Sequence, residues 1–160
     1  MDSKRQLGAD IHVPVMPTEV LSYLNIKPKG IYLDGTIGLG GHSSLILEQL
    51  SLKGYLIGVD RDKEALSICK HRLSPFSSQL SLFHNSYSNF NKILKDMEIG
   101  QVNGILLDLG MSSLQLDSQD RGFSYKIDSK LDMRFDTSQN LKASSILNQL
   151  PADELANLIY

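Results

Sequence analysis

Gly30–Leu50, read as GIYLDGTIGLGGHSSLILEQL, is the stretch that decides the fold. Ile31, Tyr32 and Leu33 make a short apolar run that ends in a carboxylate, Asp34. Gly35, Gly38, Gly40 and Gly41 follow, and His42-Ser43 then opens an apolar, helix-favouring segment. This order describes a buried strand, a loop whose backbone can pass close to a ligand, and a helix start. The free N–H groups of such a start, together with the positive end of the helix dipole, attract a phosphate or a carboxylate.

The glycine spacing narrows the choice of ligand. A dinucleotide fingerprint asks for G-x-G-x-x-G or a terminal alanine. Counted from Gly38, the chain offers Gly38, Gly40 and Ser43, so the third position fails. A P-loop fails as well, because no Gly-Lys-Ser/Thr follows. A second apolar run, Tyr55-Leu56-Ile57-Gly58-Val59, ends in Asp60, placed to accept two hydrogen bonds from a ribose diol. An anion-friendly helix start and a ribose-binding acid fit S-adenosylmethionine, with the methionyl carboxylate at the loop and the ribose at Asp60. NAD stays open on these features alone, as the less favoured fit.

Outward from that stretch the pattern alternates. Strands are expected at Ile31–Leu33, Tyr55–Val59, Leu80–Phe83 and Val102–Leu107, the last ending at Asp108. Helices are expected from a Thr18 cap to Leu24, over Ser43–Leu50, from an Asp62 cap to about Leu73, and from about Phe90 to Met97. Four strands separated by helices imply a parallel sheet covered on both faces, and ligands in such sheets bind beyond the carboxyl ends of the strands. That rule gathers Asp34, Asp60, Tyr87 and Asp108 along one edge. Tyr87, just after the third strand, suits the face of an adenine or a cap on the core. His12 suits a hydrogen-bonded structural role better than one beside a substrate.

The alternation stops at Leu109, and a long loop runs to about Asn140 before two short helices, Lys142–Gln149 and Ala152–Ile159. A loop of that length in a compact domain is usually functional, or else a wrong assignment of elements, and its contents favour function. Arg121-Gly122-Phe123-Ser124-Tyr125 offers a phosphate-capable cation and two rings for RNA. Five cations here are balanced by five aspartates, so a loop ion-paired to itself and pinned by Phe123 and Phe135 is an equal alternative.

Bulk composition sets the outer bounds. The 160 residues, 41% of them hydrophobic, suffice for one domain with a real core. A net charge of −2 carries no global nucleic-acid signature. Cys69 is the single cysteine, which leaves a reducing, cytoplasmic setting as the default and reads as a core thiol. No apolar run reaches membrane-spanning length, the polar N-terminus lacks a signal-peptide core, and His71 and His84 show no metal-ligand spacing. Neither a membrane nor a metal is expected.

Six motifs in order carry a resemblance: HVPVM from His12, LDGTIGLGGHS from Leu33, GVDRD from Gly58, GILLDLGMSS from Gly104 with Gln115 and LD following, RGFS from Arg121, and LDMR from Leu131. Together they resemble the bacterial 16S rRNA cytosine-N4 methyltransferases, over nearly the whole chain. The resemblance implies a class I, Rossmann-like methyltransferase fold, S-adenosylmethionine as cofactor, and as substrate the exocyclic N4 of a cytidine in the decoding region of 16S rRNA in the small ribosomal subunit. By motif position it places cofactor contacts on Gly40, Gly41, His42, Asp60, Tyr87, Asp108 and Gln115; Asp34 is an addition from the residues themselves. Tyr87 stands where the family usually has Phe, and Leu114 and Lys130 where it usually has Pro. The Asp/Asn-Pro-Pro-aromatic motif of many amino-methyltransferases is absent, since its place reads Asp108-Leu109-Gly110-Met111, and no catalytic base is assigned. The family implies residues 1–111 as the front part of the α/β domain and 112–160 as the beginning of an inserted helical domain, with the chain as an N-terminal portion.

Overall fold

Four short strands lie side by side in one parallel sheet: β1 (Ile31–Asp34), β2 (Tyr55–Asp60), β3 (Leu80–His84) and β4 (Gly104–Leu106), in the order β3-β2-β1-β4. The computed structural model describes residues 14–160, so His12 lies outside the described residues. The chain winds from β1 outward to β3, then crosses back to place β4 on the far side of β1. This doubly wound, Rossmann-like order puts a topological switch point over β1, where such sheets open a crevice.

Strand alternation builds two cores. Tyr32 and Leu56 point to one face, where α2 (Gly41–Gln49) and α3 (Lys63–Arg72) bring Ile46, Leu47, Leu66 and Cys69. Leu33, Ile57 and Val59 point to the other, where α4 (Phe90–Asp96) brings Ile93 and Leu94. These strands are buried on both faces, which is why they read as continuous apolar runs. Each fully buried Leu or Ile contributes about 1.5–3 kcal/mol.

Three boundaries differ from expectation. The first helix, α1 (Pro17–Leu24), takes Pro17 rather than a Thr18 cap: Met16 is its N-cap in a left-handed conformation, and proline's fixed φ suits the first turn. The helix α2 starts at Gly41, two residues before Ser43, because Gly40 at φ 81° turns the chain into it early. The strand β4 is only three residues long. The Asn103 N–H still donates to the Ile31 carbonyl, but its side chain rather than a main-chain carbonyl accepts from the Ile31 N–H, and beyond Leu106 the Asp108 N–H donates to Thr36 Oγ1. In the expected loop, a one-turn helix α5 (Ser113–Asp117) also forms; α6 (Ala143–Gln149) and α7 (Ala152–Ile159) follow as expected.

Candidate functional site

Register sets the height of each carboxylate. Asp34 at the end of β1 pairs with Gly58 of β2 on one side and Leu106 of β4 on the other. Asp60 and Asp108 therefore each stand two residues beyond that level, on the two strands flanking β1, with the glycine loop between them. A cavity of about 710 Å³ opens there. Gly41, His42, Asp60, Tyr87, Asp108 and Gln115 all line it. Its size lies within the usual range for small-molecule pockets.

Gly40 does not line it. A Cβ on Gly40 would come within 3.0 Å of Cys69 Sγ and Leu73 Cδ1, so this glycine faces the core and permits the close approach of loop to α3. Asp34 is buried and absent from the wall. Its Oδ1 accepts from the Thr36 N–H at 3.1 Å and its Oδ2 from the Ser43 hydroxyl at 2.7 Å, so it orders the loop.

Asp60 is tied down from both sides. Its Oδ2 accepts from the Gly38 N–H at 2.7 Å and its Oδ1 from the Asp62 N–H at 2.9 Å. A carboxylate offers about four acceptor positions, so two backbone bonds leave capacity for a diol. His42 donates through Nε2 to the Val15 carbonyl at 2.8 Å, and its Nδ1 stands 3.8 Å from Asp108 Oδ2. That bond fixes the ring and fastens the Pro14-Val15 segment across the start of α2. The Asp108 carboxylate is half exposed, and among the described residues His42 is the charged-capable group beside it. Tyr87 opens a short 3₁₀ turn capped by Ser86, and its ring is part-exposed at the cavity.

The second half of the chain supplies the remaining wall through Leu109, Met111, Ser112, Gln115 and Phe135. Arg121, one of the expected cations for RNA, is buried. It donates through Nη2 to Asp62 Oδ2 at 2.7 Å and to the Arg134 and Phe135 carbonyls. Arg134 grips Asp132 with Nε and Nη2 and donates to the Thr137 and Gln139 carbonyls. Phe123 meets Phe135 edge to face at 5.2 Å. The ion-paired, ring-pinned loop is therefore the arrangement found for these two arginines. The wall residues Thr36, Leu39 and Arg61 lie inside the LDGTIGLGGHS and GVDRD motifs without having been singled out, and Arg72 lies outside every motif. Among the described residues no cluster of three or more His, Cys, Asp or Glu side chains is arranged to hold a metal, and no helix is long and apolar enough to cross a membrane.

The sequence profile of the MraW methylase family matches residues 9–160. The chain belongs to the MraW methylase family. Two relatives both bear the name ribosomal RNA small subunit methyltransferase H. That of Mycoplasma mobile is 42% identical over 154 residues, covering 96% of this chain and 51% of its own length. That of Syntrophotalea carbinolica is 46% identical over 147 residues, covering 92% of this chain and 47% of its own. The chain spans about half the length of the curated relatives it matches. Among solved structures, NSun6 from Pyrococcus horikoshii matches with a TM-score of 0.46 at 23% identity, over 63% of this chain and 25% of that one. Membership of this methylase family agrees with the six-motif resemblance, and the doubly wound sheet agrees with the fold expected from it.

Proposed function

We propose that the cavity over β1 holds S-adenosylmethionine and that, in a protein of the relatives' full length, the site methylates the exocyclic N4 of a cytidine in the decoding region of 16S rRNA. The observation that carries this reading is convergence: six of the seven residues named from the motifs line one cavity at the carboxyl ends of β1, β2 and β4. The donor set fits the cofactor. Asp60 has acceptor capacity for the ribose diol, Tyr87 has a ring for the adenine face, and the N–H groups opening α2 suit the methionyl carboxylate. When bound, S-adenosylmethionine supplies an electrophilic methyl group.

The chain's own part is alignment. The cytosine amine is a poor nucleophile, so the site must hold it at attack distance and supply acceptors for its protons. Asp108 faces the cavity with, among the described residues, His42 as the ionisable group beside it, whereas both oxygens of Asp60 are already bonded to backbone. It is the wall carboxylate best placed to accept hydrogen bonds from the N4 protons. The cytidine must leave its stack to reach it. Residues from 112 onward would begin the inserted helical domain that serves substrate recognition, with Ser112, Gln115 and Phe135 also closing the cavity.

Calorimetric titration of this chain with S-adenosylmethionine, repeated with Asp60→Ala, tests the cofactor assignment. Binding that the substitution abolishes supports it, and a folded chain that does not bind overturns it. Transfer of labelled methyl from the full-length protein to small subunits, followed by nucleoside chromatography, tests the N4 product.

A second reading, cofactor binding without turnover by these 160 residues alone, is favoured by the open face of β4. Ile105 on that strand and Leu107 just beyond it are 45% and 44% exposed. Methyl transfer by the chain itself would exclude it.

A further inference from the structure

A buried polar cluster lies directly behind the cavity. Asp62, Gln115 and Arg121 are only 2%, 3% and 5% exposed. Asp62 Oδ1 accepts from the Glu64 and Ala65 N–H groups and so caps α3. Its Oδ2 accepts from Gln115 Nε2 at 3.0 Å and from Arg121 Nη2 at 2.7 Å. Gln115 Oε1 accepts from the Ser112 N–H at 3.0 Å, while Ser112 Oγ accepts from the Gln115 N–H, which closes the capping box of α5. One donor and one acceptor position of the Gln115 amide are thus held within the protein, and one of each is left toward the cavity.

Two residues upstream of this cluster is Asp60, whose Oδ1 accepts from the Asp62 N–H. One side of the Asp60-Arg61-Asp62 turn faces the cavity and the other anchors the second half of the chain. Arg121 adds bonds to the Arg134 and Phe135 carbonyls at 3.1 and 2.9 Å, and so fixes Phe135, a wall residue. Ser112, Ser113 and Gln115 reach the wall through the same anchor.

We propose that Arg121, acting through Asp62, is a positioning residue that holds segment 112–135 as a wall of the cofactor cavity, and that the same anchor holds Gln115 at that wall. The proposal rests on the cavity being the S-adenosylmethionine site. A buried carboxylate left without its guanidinium is strongly destabilising, and all three Arg121 bonds leave from Nη2, one bond farther along the side chain than a lysine ammonium reaches.

The test compares the chain with its Arg121→Met, Arg121→Lys and Asp62→Asn/Arg121→Met variants. Three readouts are taken: hydrogen exchange of 112–135 without ligand, calorimetric affinity for S-adenosylhomocysteine, and labelling of the buried Cys69 thiol as a reporter of the core. In Arg121→Met we expect lost protection across 112–135, affinity lower by about tenfold to a hundredfold, and an unreactive Cys69. Arg121→Lys should not restore affinity. If Arg121→Met unfolds, the double variant, which removes both charges, supplies the same comparison. Full affinity with 112–135 deprotected overturns the positioning role, and unchanged protection overturns the anchor. A uniform loss that also exposes Cys69 in the double variant would make Arg121 a general stability residue and overturn the proposal. No binding by the wild-type chain sinks the cofactor assignment and the positioning role with it, while exchange still reports whether the anchor exists.

Discussion

Ser43 donates its hydroxyl proton to Asp34 Oδ2 at 2.7 Å, tying the end of β1 to the first turn of α2 across the whole glycine loop. With the Thr36 N–H on its other oxygen, the Asp34 carboxyl is the internal frame on which the loop is built. It is fully buried, and burial pushes its pKa up to about 6 against the pull of the Ser43 and Thr36 bonds.

That shift has a definite sign. The folded carboxyl keeps its proton up to about pH 6, whereas the unfolded one loses it near the ordinary value of 3.8. Stability therefore falls as pH rises from about 4 to about 6, by about 3 kcal/mol for this group. An asparagine in its place would retain an oxygen for the Thr36 N–H and an amide for Ser43, with no charge to bury. The Asp34→Asn variant should lose that slope, which urea midpoints at pH 4, 5, 6 and 7 will reveal. An unchanged slope would assign it to another group.

Gly122 makes the RGFS and LDMR motifs interlock. Its φ is +70°, and a Cβ there would lie 2.5 Å from the Lys130 carbonyl oxygen and 2.8 Å from the Asp132 nitrogen, both backbone atoms. Neither can retreat easily, since the Met133 N–H donates to the Arg121 carbonyl. Gly122→Ala should cost about 2 kcal/mol or more and lower Tm by roughly 4–8 °C. Gly100→Ala, where a Cβ meets nothing within 4 Å, is the matched control and should change Tm little. Equal effects at the two positions would contradict the interlock.

How much of this is legible in the sequence depends on the range of the interaction. The strands β1, β2 and β3 are readable because each is an apolar run bounded by turn residues, and Asp62 is readable as a cap from its place before α3. The early start of α2 is not, since Gly40 turns the chain by its φ angle and no side chain marks it. The helix α5 is too short to show a period, yet Ser112-x-x-Gln115 has the spacing of a capping box and could have disclosed it. The Asp62–Arg121 pair joins residues 59 apart, and the balance of charges says only that such pairs exist, not which.

Asp132 is the anchor of the last turn before α6. Its two oxygens are gripped by Arg134, with Lys142 at 3.4 Å, and these partners hold its pKa down to about 2. Its carbonyl also accepts from the Ala143 N–H, and Leu131 accepts from Ser144, so the turn seats α6. A depressed carboxyl stabilises above its unfolded pKa and loses that contribution as pH falls from about 4 through 2. At neutral pH, Asp132→Asn should free the guanidinium and speed tryptic cleavage after Arg134, while sites within α3 stay resistant. Equal rates in wild type and variant would show that the carbonyl bonds of Arg134 suffice.

Cys69 reports on the core from within. It is fully buried in α3 against the glycine loop, and burial, with the Asp34 and Asp60 carboxylates adding to it, pushes its thiol up to about 12. The thiolate is the reactive form, so at pH 8 the native chain presents neither access nor nucleophile. Labelling by a disulfide reagent should then proceed only through opening, at a rate set by the population of open chains. Gly40→Ala places a Cβ 3.0 Å from Cys69 Sγ at a residue whose φ is +81°. It should raise the labelling rate roughly tenfold for every 1.4 kcal/mol of stability lost. Urea at concentrations below the unfolding midpoint should raise the rates of both proteins in parallel. Wild-type labelling as fast as that of a free cysteine would mean that the loop does not cover α3 as described.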